Sequence, residues 1–387
     1  MIPRKPLLES SMEKKEVRSL QTILSIVVEP RHEKNKRHLL IDILVIAFCA
    51  ILAGAEGFTD FEQFGKLKKE WFKKFLKLPH CIPSHDVFGK VFALLDPTVL
   101  QQCFLEWMNL VRQGLPIEAI SIDGKTIRGS RCKHHNAVTM VSAWACEVGL
   151  VLAQVKVKSD SNEIPAIEDL LNLLKIEGCV ITIDAIGCQT AITQKIQEKG
   201  GDYILPVKDN QPKLAQAIEE YFLEASEDDF QREEIKTYEK KEKNRGRLEY
   251  RKYWISEDLS TLKKLERFEE WKGVKSIAMV YRKREVEGKI SEEETFYITS
   301  LGAEAKVFAR HTRSHWEIEN KLHWRLDIGF KEDQCRIRET IAVANVAVLR
   351  HFGMNFLKQE NSTKASLRSK IKRCGWDDSY LSNVLSL

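Results

Sequence analysis

Apolar residues recur at helical spacing up to about residue 112 and give way to strand-like alternation near residue 118. The most apolar run, Ile43 to Ala55, holds thirteen residues between Asp42 and Glu56. A membrane span needs roughly 18–20 such residues, so this run predicts a buried helix ending near Gly54. Thr59 or Asp60 is positioned to cap a second helix, which passes through Trp71-Phe-Lys-Lys-Phe75 and stops before Pro79. Ser84 precedes a third, with Phe88, Val91 and Leu94 at helical spacing. Asp96-Pro97 opens a fourth, with Leu100, Phe104, Met108 and Val111 on one face. Residues 1–112 therefore predict a helical domain, either a DNA-binding unit of helix-turn-helix type or a packing domain without base contacts.

Glu118-Ala-Ile-Ser-Ile-Asp123 then predicts a strand, with a second extended piece after Gly124. Ala137–Ala145 and Gly149–Val157 predict two more, joined by a tight turn. A helix from about Pro165 to Ile176, a β-branched strand Cys179–Asp184, a helix from about Gln189 to Lys199 and a strand Asp202–Lys208 follow. Antiparallel strands followed by β-α-β-α-β alternation predict an α/β fold, a mixed sheet flanked by helices in the order of the ribonuclease H-like fold. Residues 113–228, closed by a helix over 211–225, form the first part of that core. Residues 229–302 break the pattern with charged alternating segments at Glu234–Glu239, Arg247–Ile255 and Ser276–Tyr281, and predict an inserted β-strand subdomain. Helices return over 303–387, the C-terminal part of the core, through a basic segment Lys364–Arg373.

With 43% hydrophobic and 30% charged residues in 387, the chain fills a core and is not globally disordered. A net charge of +5 says little about nucleic acid, so the placement of charge matters more than its sum. Nine scattered cysteines without a Cys-x-x-Cys pair argue against a disulfide framework and fit a reducing cytoplasm. Cys132-Lys-His134-His135 lacks a second ligand pair and makes a poor zinc site. The opening MIPRKPLLESSMEKKEV has no apolar segment behind its positive charges, so neither a signal peptide nor a membrane span is expected.

Asp123 and Asp184 each follow an apolar strand, the first before Gly-Lys and the second before Ala-Ile-Gly187. Acids at strand ends lie on the sheet rim, where ligands bind in α/β folds. If these strands are neighbours, the two carboxylates repel each other, and a divalent ion offsets the repulsion. A third acid is expected in His315–Phe330, predicted helical up to Gly329. At about 3.6 residues per turn, Trp316, Glu319, Asn320, His323 and Asp327 share one face. That set suits a polar cleft better than a core. Glu319 is the expected ligand, Glu317 points away, and Asp327 is the competing acid. Lys125, Arg128, Lys208, Arg336 and Arg338 stand near the acids at strand and helix ends, where they are placed to hold phosphates. His315 and Asn320 are further expected DNA contacts, and His323 is either another or a partly buried histidine. All-oxygen ligands favour Mg²⁺ with Mn²⁺ as a substitute, and two such ions activate a water or a 3′-hydroxyl against a phosphodiester.

At these residues the chain resembles the DDE transposases of bacterial insertion sequences, specifically the H-repeat-associated group found with Rhs elements. The motifs are Ser121-Ile-Asp-Gly-Lys-Thr-Ile-Arg-Gly-Ser130, Val141-Ser-Ala-Trp144, Ser161-Asn-Glu-Ile164, Thr182-Ile-Asp-Ala-Ile-Gly-Cys-Gln189, Val207-Lys-Asp-Asn-Gln211 and His315-Trp-Glu-Ile-Glu-Asn-Lys-Leu-His-Trp324. Pro83-Ser-His-Asp-Val-Phe-Gly89 and the helical positions around it look like the domain associated with that core. The resemblance implies that the catalytic acids are Asp123, Asp184 and Glu319, and that strands interrupt the core before the Glu helix. It implies nicking at an element's terminal inverted repeats and strand transfer into target DNA, by a homodimer on paired ends. Related transposases carry a Tyr-x-x-Arg-x-x-x-Glu-x-x-x-x-x-x-Lys signature, and here Thr312, His315 and Leu326 replace its Tyr, Arg and Lys. Arg313, His323 and Arg325 are the candidates to take their place. Two other readings stay open: a DNA-binding remnant that represses its own element, and a ribonuclease H-like nuclease without strand transfer.

Overall fold

The computed structural model describes residues 20–244 and 246–386. The opening stretch over residues 1–17, where no signal peptide was expected, lies outside the described residues. Six helices come first: α1 (Leu20–Leu24), α2 (Leu40–Leu52), α3 (Phe58–Leu67), α4 (Lys69–Phe72), α5 (His85–Leu94) and α6 (Pro97–Val111). Asp96 caps α6 by accepting the Thr98 N–H at 2.9 Å, ahead of a proline that has no N–H to satisfy. Strands β1 (Ala119–Ile127), β2 (Val138–Ala145) and β3 (Leu150–Lys156) follow, then α7 (Glu163–Leu173), β4 (Val180–Ile183), α8 (Thr190–Glu198), β5 (Asp202–Val207) and α9 (Pro212–Ser226). Four long strands come next, β6 (Ile235–Asn244), β7 (Arg247–Ser256), β8 (Ser276–Val286) and β9 (Lys289–Thr299). The chain closes with α10 (Ala305–Glu317), α11 (Trp324–Phe330), α12 (Thr340–Gln359), α13 (Leu367–Trp376) and α14 (Asp378–Leu385).

All nine strands form one sheet in the order β3-β2-β1-β4-β5-β9-β8-β7-β6. Only β1, β4 and β5 run parallel, so the sheet is mixed and the architecture α/β, consistent with a ribonuclease H-like fold. The segment 229–302, expected as an inserted subdomain of three strands, supplies four, and they continue the core sheet through β9 beside β5. The fourth strand escaped the sequence reading because its first half, Ser291–Glu294, is solvent-exposed and carries no apolar alternation.

Helix α12 ties the N-terminal helices to this sheet. Most of its length is buried, so its apolar residues run all round rather than along one stripe. By length and apolarity it could cross a membrane, yet 89% of its most apolar window is buried inside the fold. Its two asparagines satisfy backbone groups that packing would otherwise strand. Asn345 donates to the Phe92 and Leu95 carbonyls at the end of α5, both at 2.9 Å. Asn355 bonds both the N–H and the carbonyl of Val151 on the edge strand β3, at 3.0 and 2.8 Å. Trp107 of α6 stacks on Phe356 with centroids 4.5 Å apart. One cluster of buried apolar side chains thus runs from Leu20 to Val384.

Candidate active site

The parallel pairing of β1 with β4 stops at Ile122–Ile183, so Asp123 and Asp184 are the next residue on each strand. Asp123 does not end its strand, as the sequence reading had it. Pairing with β2 carries β1 on to Ile127–Val138. The acid is exposed on the β4 side alone, because there its neighbour turns away into a short 3-10 turn, Ala185–Gly187. Gly187 permits that turn: a Cβ there would lie 2.4 Å from the Ile183 side chain. Below the two acids, Ser121 and Thr182 share a hydrogen bond of 3.0 Å that clamps the strands together.

The third expected acid arrives on a distorted helix. Between α10 and α11 the chain forms a π-helical turn, Ile318–His323, where an unbroken α-helix was expected. Its i to i+5 bonds widen the turn and divide the face predicted from the α-helical period. Glu319 and Trp316 line the cleft with Asp123, Asp184, Lys208 and His315. Asn320 borders the adjoining recess. His323 turns inward, its Nδ1 3.6 Å from Asp123 and its Nε2 buried without a partner. Asp327 faces the other way and pairs with Lys125 at 2.8 Å, which removes it from competition with Glu319.

Several expected phosphate contacts are not brought to the cleft. Lys125 is buried, with its ammonium 2.9 Å from Asp333 as well, and so holds protein carboxylates instead. Arg338 donates to the backbone carbonyls of Gly129 and Arg131, and with Arg336 it lines a separate hollow beside Gly57 and His85. Arg128 is exposed, with its guanidinium 3.5 Å from Asp333.

The electrostatics of the cleft follow from crowding. Burial, then the charge of Asp184 and those of Glu163 and Glu319, push the Asp123 carboxyl up to about 7 against one opposing hydrogen bond from Gly124. Asp184 is also raised by burial, partly offset by the Gly187 and Ile186 N–H groups and by Lys208. Burial pushes the His315 imidazole down to about 4, so it is neutral at pH 7, with Nδ1 3.1 Å from the Thr182 hydroxyl.

Glu163, at the start of α7, is a fourth acid that the sequence reading quoted in a motif without placing here. A Cβ on Gly124 would stand 2.5 Å from its carboxylate, so the glycine is what lets it approach. Of the cleft's arginines the sequence reading named only Arg313, as a candidate to replace a signature residue, and missed Arg251 and Arg282. Arg251, Arg282 and Arg313 line it, and Lys240, Arg251, Arg282 and Glu293 stand opposite one another on successive strands. Three cations on one rung destabilise a sheet unless anions answer them. Glu242 pairs with Arg251 at 2.7 Å and Glu293 with Arg282, while Arg313 makes no ion pair among the described residues. Strand periodicity placed Arg247, Glu249 and Arg251 on one face, a signal that was there to read.

Among the described residues no three His, Cys, Asp or Glu side chains stand in ready ligating geometry for one metal ion. The donor chemistry nevertheless fits a hard divalent cation. Two oxygen ligands on neighbouring strands, with a raised carboxyl pKa, match the one or two carboxylates by which Mg²⁺ is usually held beside substrate phosphates. Asp123 also makes a pH prediction for the metal-free protein. Its folded pKa lies above the unfolded value, so its contribution to stability is full at low pH and is lost as pH rises from ~4 to ~7. Denaturant titrations in chelator should show a fall of about 4 kcal/mol across that window, which Asp123→Asn should flatten. An unchanged slope in that variant would refute the shift.

Comparison with known proteins gives the family. Residues 114–356 match the family described as transposase DDE domain, and residues 21–108 match the DDE_Tnp_1-associated family. The chain is 37% identical over 377 residues to the "H repeat-associated putative transposase YhhI" of Escherichia coli (strain K12), covering 96% of this chain and 98% of that protein. It is 37% identical over 376 residues to the "Putative transposase YncI" of Escherichia coli O157:H7, covering 96% and 95%. A shorter relative, the "Inactive transposase YbfQ" of Escherichia coli (strain K12), is 34% identical over 78 residues, 20% of this chain and 93% of its own length. The chain belongs to the DDE transposase family.

Proposed function

We propose that the protein is an active DNA transposase with a ribonuclease H-like core. It nicks the terminal repeats of its own element and joins the freed 3′-hydroxyl to target DNA. The observation that carries this reading is the convergence of Asp123, Asp184 and Glu319 on one cleft whose other walls are cationic. Asp123, Asp184 and Glu319 would hold the divalent ions, Mg²⁺ or Mn²⁺. Divalent ions bound there supply activation of a water or a 3′-hydroxyl and charge stabilisation at the leaving oxygen.

The protein's own groups do the rest. Lys208 and Arg313 hold the phosphates on either side of the scissile bond, and Arg251 and Arg282 continue the track along the sheet. The Trp316 indole, 43% exposed with Arg282 5.4 Å over its ring, gives an unstacked base a platform. Neutral His315 holds its ring against Thr182 and adds no charge to the acids. A homodimer on paired element ends is the assembly this reading entails.

Full-length protein should nick, and then join, DNA that carries the inverted repeats flanking its reading frame, with Mg²⁺ present. Nicked but never joined products would favour a plain nuclease, and metal-independent binding without cleavage would favour a repressor. Arg313→Ala should weaken binding of any sequence alike and lower the log K against log[salt] slope by about 1. An unaltered slope would remove Arg313 from the phosphate track.

A further inference from the structure

A groove outside the cleft, bounded by α11, the end of α12 and the start of α13, is lined by cations and no acid. Arg325, Lys358, Lys364 and Arg368 point into it. Of its cations only Lys370 is ion-paired among the described residues, to Glu360 at 3.4 Å. Partial burial and then the positive charges of Arg325, Lys321 and Lys370 hold the Lys358 ammonium below its usual range. Cations crowd here as carboxylates crowd in the cleft, and such crowding is relieved by a bound anion. Trp324, 58% exposed, lies in the same groove, so a large indole faces solvent among unpaired cations. The N-terminus of α13, capped by Ser366, opens onto it and adds N–H dipoles to the positive field.

The groove is joined to the cleft through the same helical segment, across the π turn. Trp316, Asn320, Trp324 and Ile328 follow at intervals of four, and all are exposed. The first two border the arginine recess beside Glu319, and the last two border this groove. From Glu319 to Ile328 the helix axis advances at most roughly 13 Å, because the π turn rises less than the about 1.5 Å per residue of an α-helix. That is about four base steps at roughly 3.4 Å each.

We propose that this groove is a second DNA site, which grips the sugar-phosphate backbone a few base pairs from the bond held at the acids. The inference rests on DNA being the substrate of the cleft. Arg325, Lys358, Lys364 and Arg368 neutralise successive phosphates without reading sequence, and the Trp324 ring packs on the exposed sugar or base edge. The solvent-facing placement of Trp324 is thereby accounted for.

The test uses full-length protein and a fluorescein-labelled DNA duplex of arbitrary sequence, followed by anisotropy between ~50 and ~200 mM salt. Arg325→Ala/Arg368→Ala should bind about tenfold more weakly and lower the log K against log[salt] slope by about 2. Arg325→Lys/Arg368→Lys should restore the slope, and both variants should melt with the wild type because neither side chain packs in the core. Wild-type binding and cleavage with an unchanged slope in the alanine variant would overturn this inference alone. Loss of binding to anionic phospholipid vesicles, with DNA binding intact, would overturn it in favour of a membrane surface. A wild-type protein that bound no DNA would overturn the cleft reading itself.

Discussion

Asp184→Ala is expected to lower DNA cleavage by about 10³-fold or more while leaving the fold at least as stable as the wild type. The loss follows from removing one of two neighbouring carboxylates on β1 and β4, the proposed seat of the divalent ion. Losing ~4 kcal/mol of transition-state stabilisation corresponds to about three decades in rate. Stability moves the other way because Asp184 is half-buried and raises the Asp123 pKa by repulsion, so its removal relieves strain on the apoprotein. The pairing of outcomes is diagnostic. A structural acid would cost stability and activity together, whereas a functional one costs activity alone. Cleavage rates under single-turnover conditions and a denaturant titration in chelator measure both quantities. Retained activity in the variant would end the assignment.

Lys125→Ala is expected to be the most destabilising single change near the site, at about 3 kcal/mol or more. Its ammonium lies 2.8 Å from Asp327, 2.9 Å from Asp333 and 3.8 Å from Glu332, and its side chain is 9% exposed. Burial acts to depress its pKa, but Glu332, Asp327 and Asp333 overcome this and raise it, so the lysine is charged in the fold. Glu332 is fully buried, and without Lys125 the one cation left beside it among the described residues is Arg350, at 3.8 Å. Truncating one member of a buried ionic cluster costs roughly 3–5 kcal/mol because the partners are left uncompensated. Denaturant midpoints read the effect, and Lys125→Ala/Glu332→Gln should recover part of it as a coupled pair. A single variant within ~0.5 kcal/mol of the wild type would show that the cluster is solvated. The same clamp fixes α11, and with it the π turn carrying Glu319, onto the strand that carries Asp123. Misplacement of Glu319 should therefore lower cleavage as well.

The acids were legible in sequence because each strand announces itself locally. Ala119–Ile122 and Val180–Ile183 are mostly apolar runs, interrupted only by Ser121 and Thr182, and the first charged residue after each is the aspartate. The helix bearing Glu319 was legible for the same reason, through its period, but its local winding was not. The π turn divides Trp316, Glu319, Asn320, His323 and Asp327 among the cleft, a recess, a buried site and an ion pair. Which of those a residue enters depends on what the sheet presents to it.

The sequence by itself thus determined most of the element order, the α/β class, the two aspartates that follow apolar strands and the family. These rest on period, turn chemistry and motifs, which are properties of nearby residues. Only the tertiary structure decided that β9 docks on β5 to make one nine-stranded sheet, which carries Arg251 and Arg282 to the acids. Only it decided that Lys125 serves Asp333, 208 residues away, rather than a phosphate, and that the Glu163 carboxylate lies against Gly124, where its charge acts on Asp123. A charged side chain reads the same in sequence whether it meets solvent, a ligand or a buried partner. Its role is set by long-range packing, which alone decides the dielectric around it and the charges it faces.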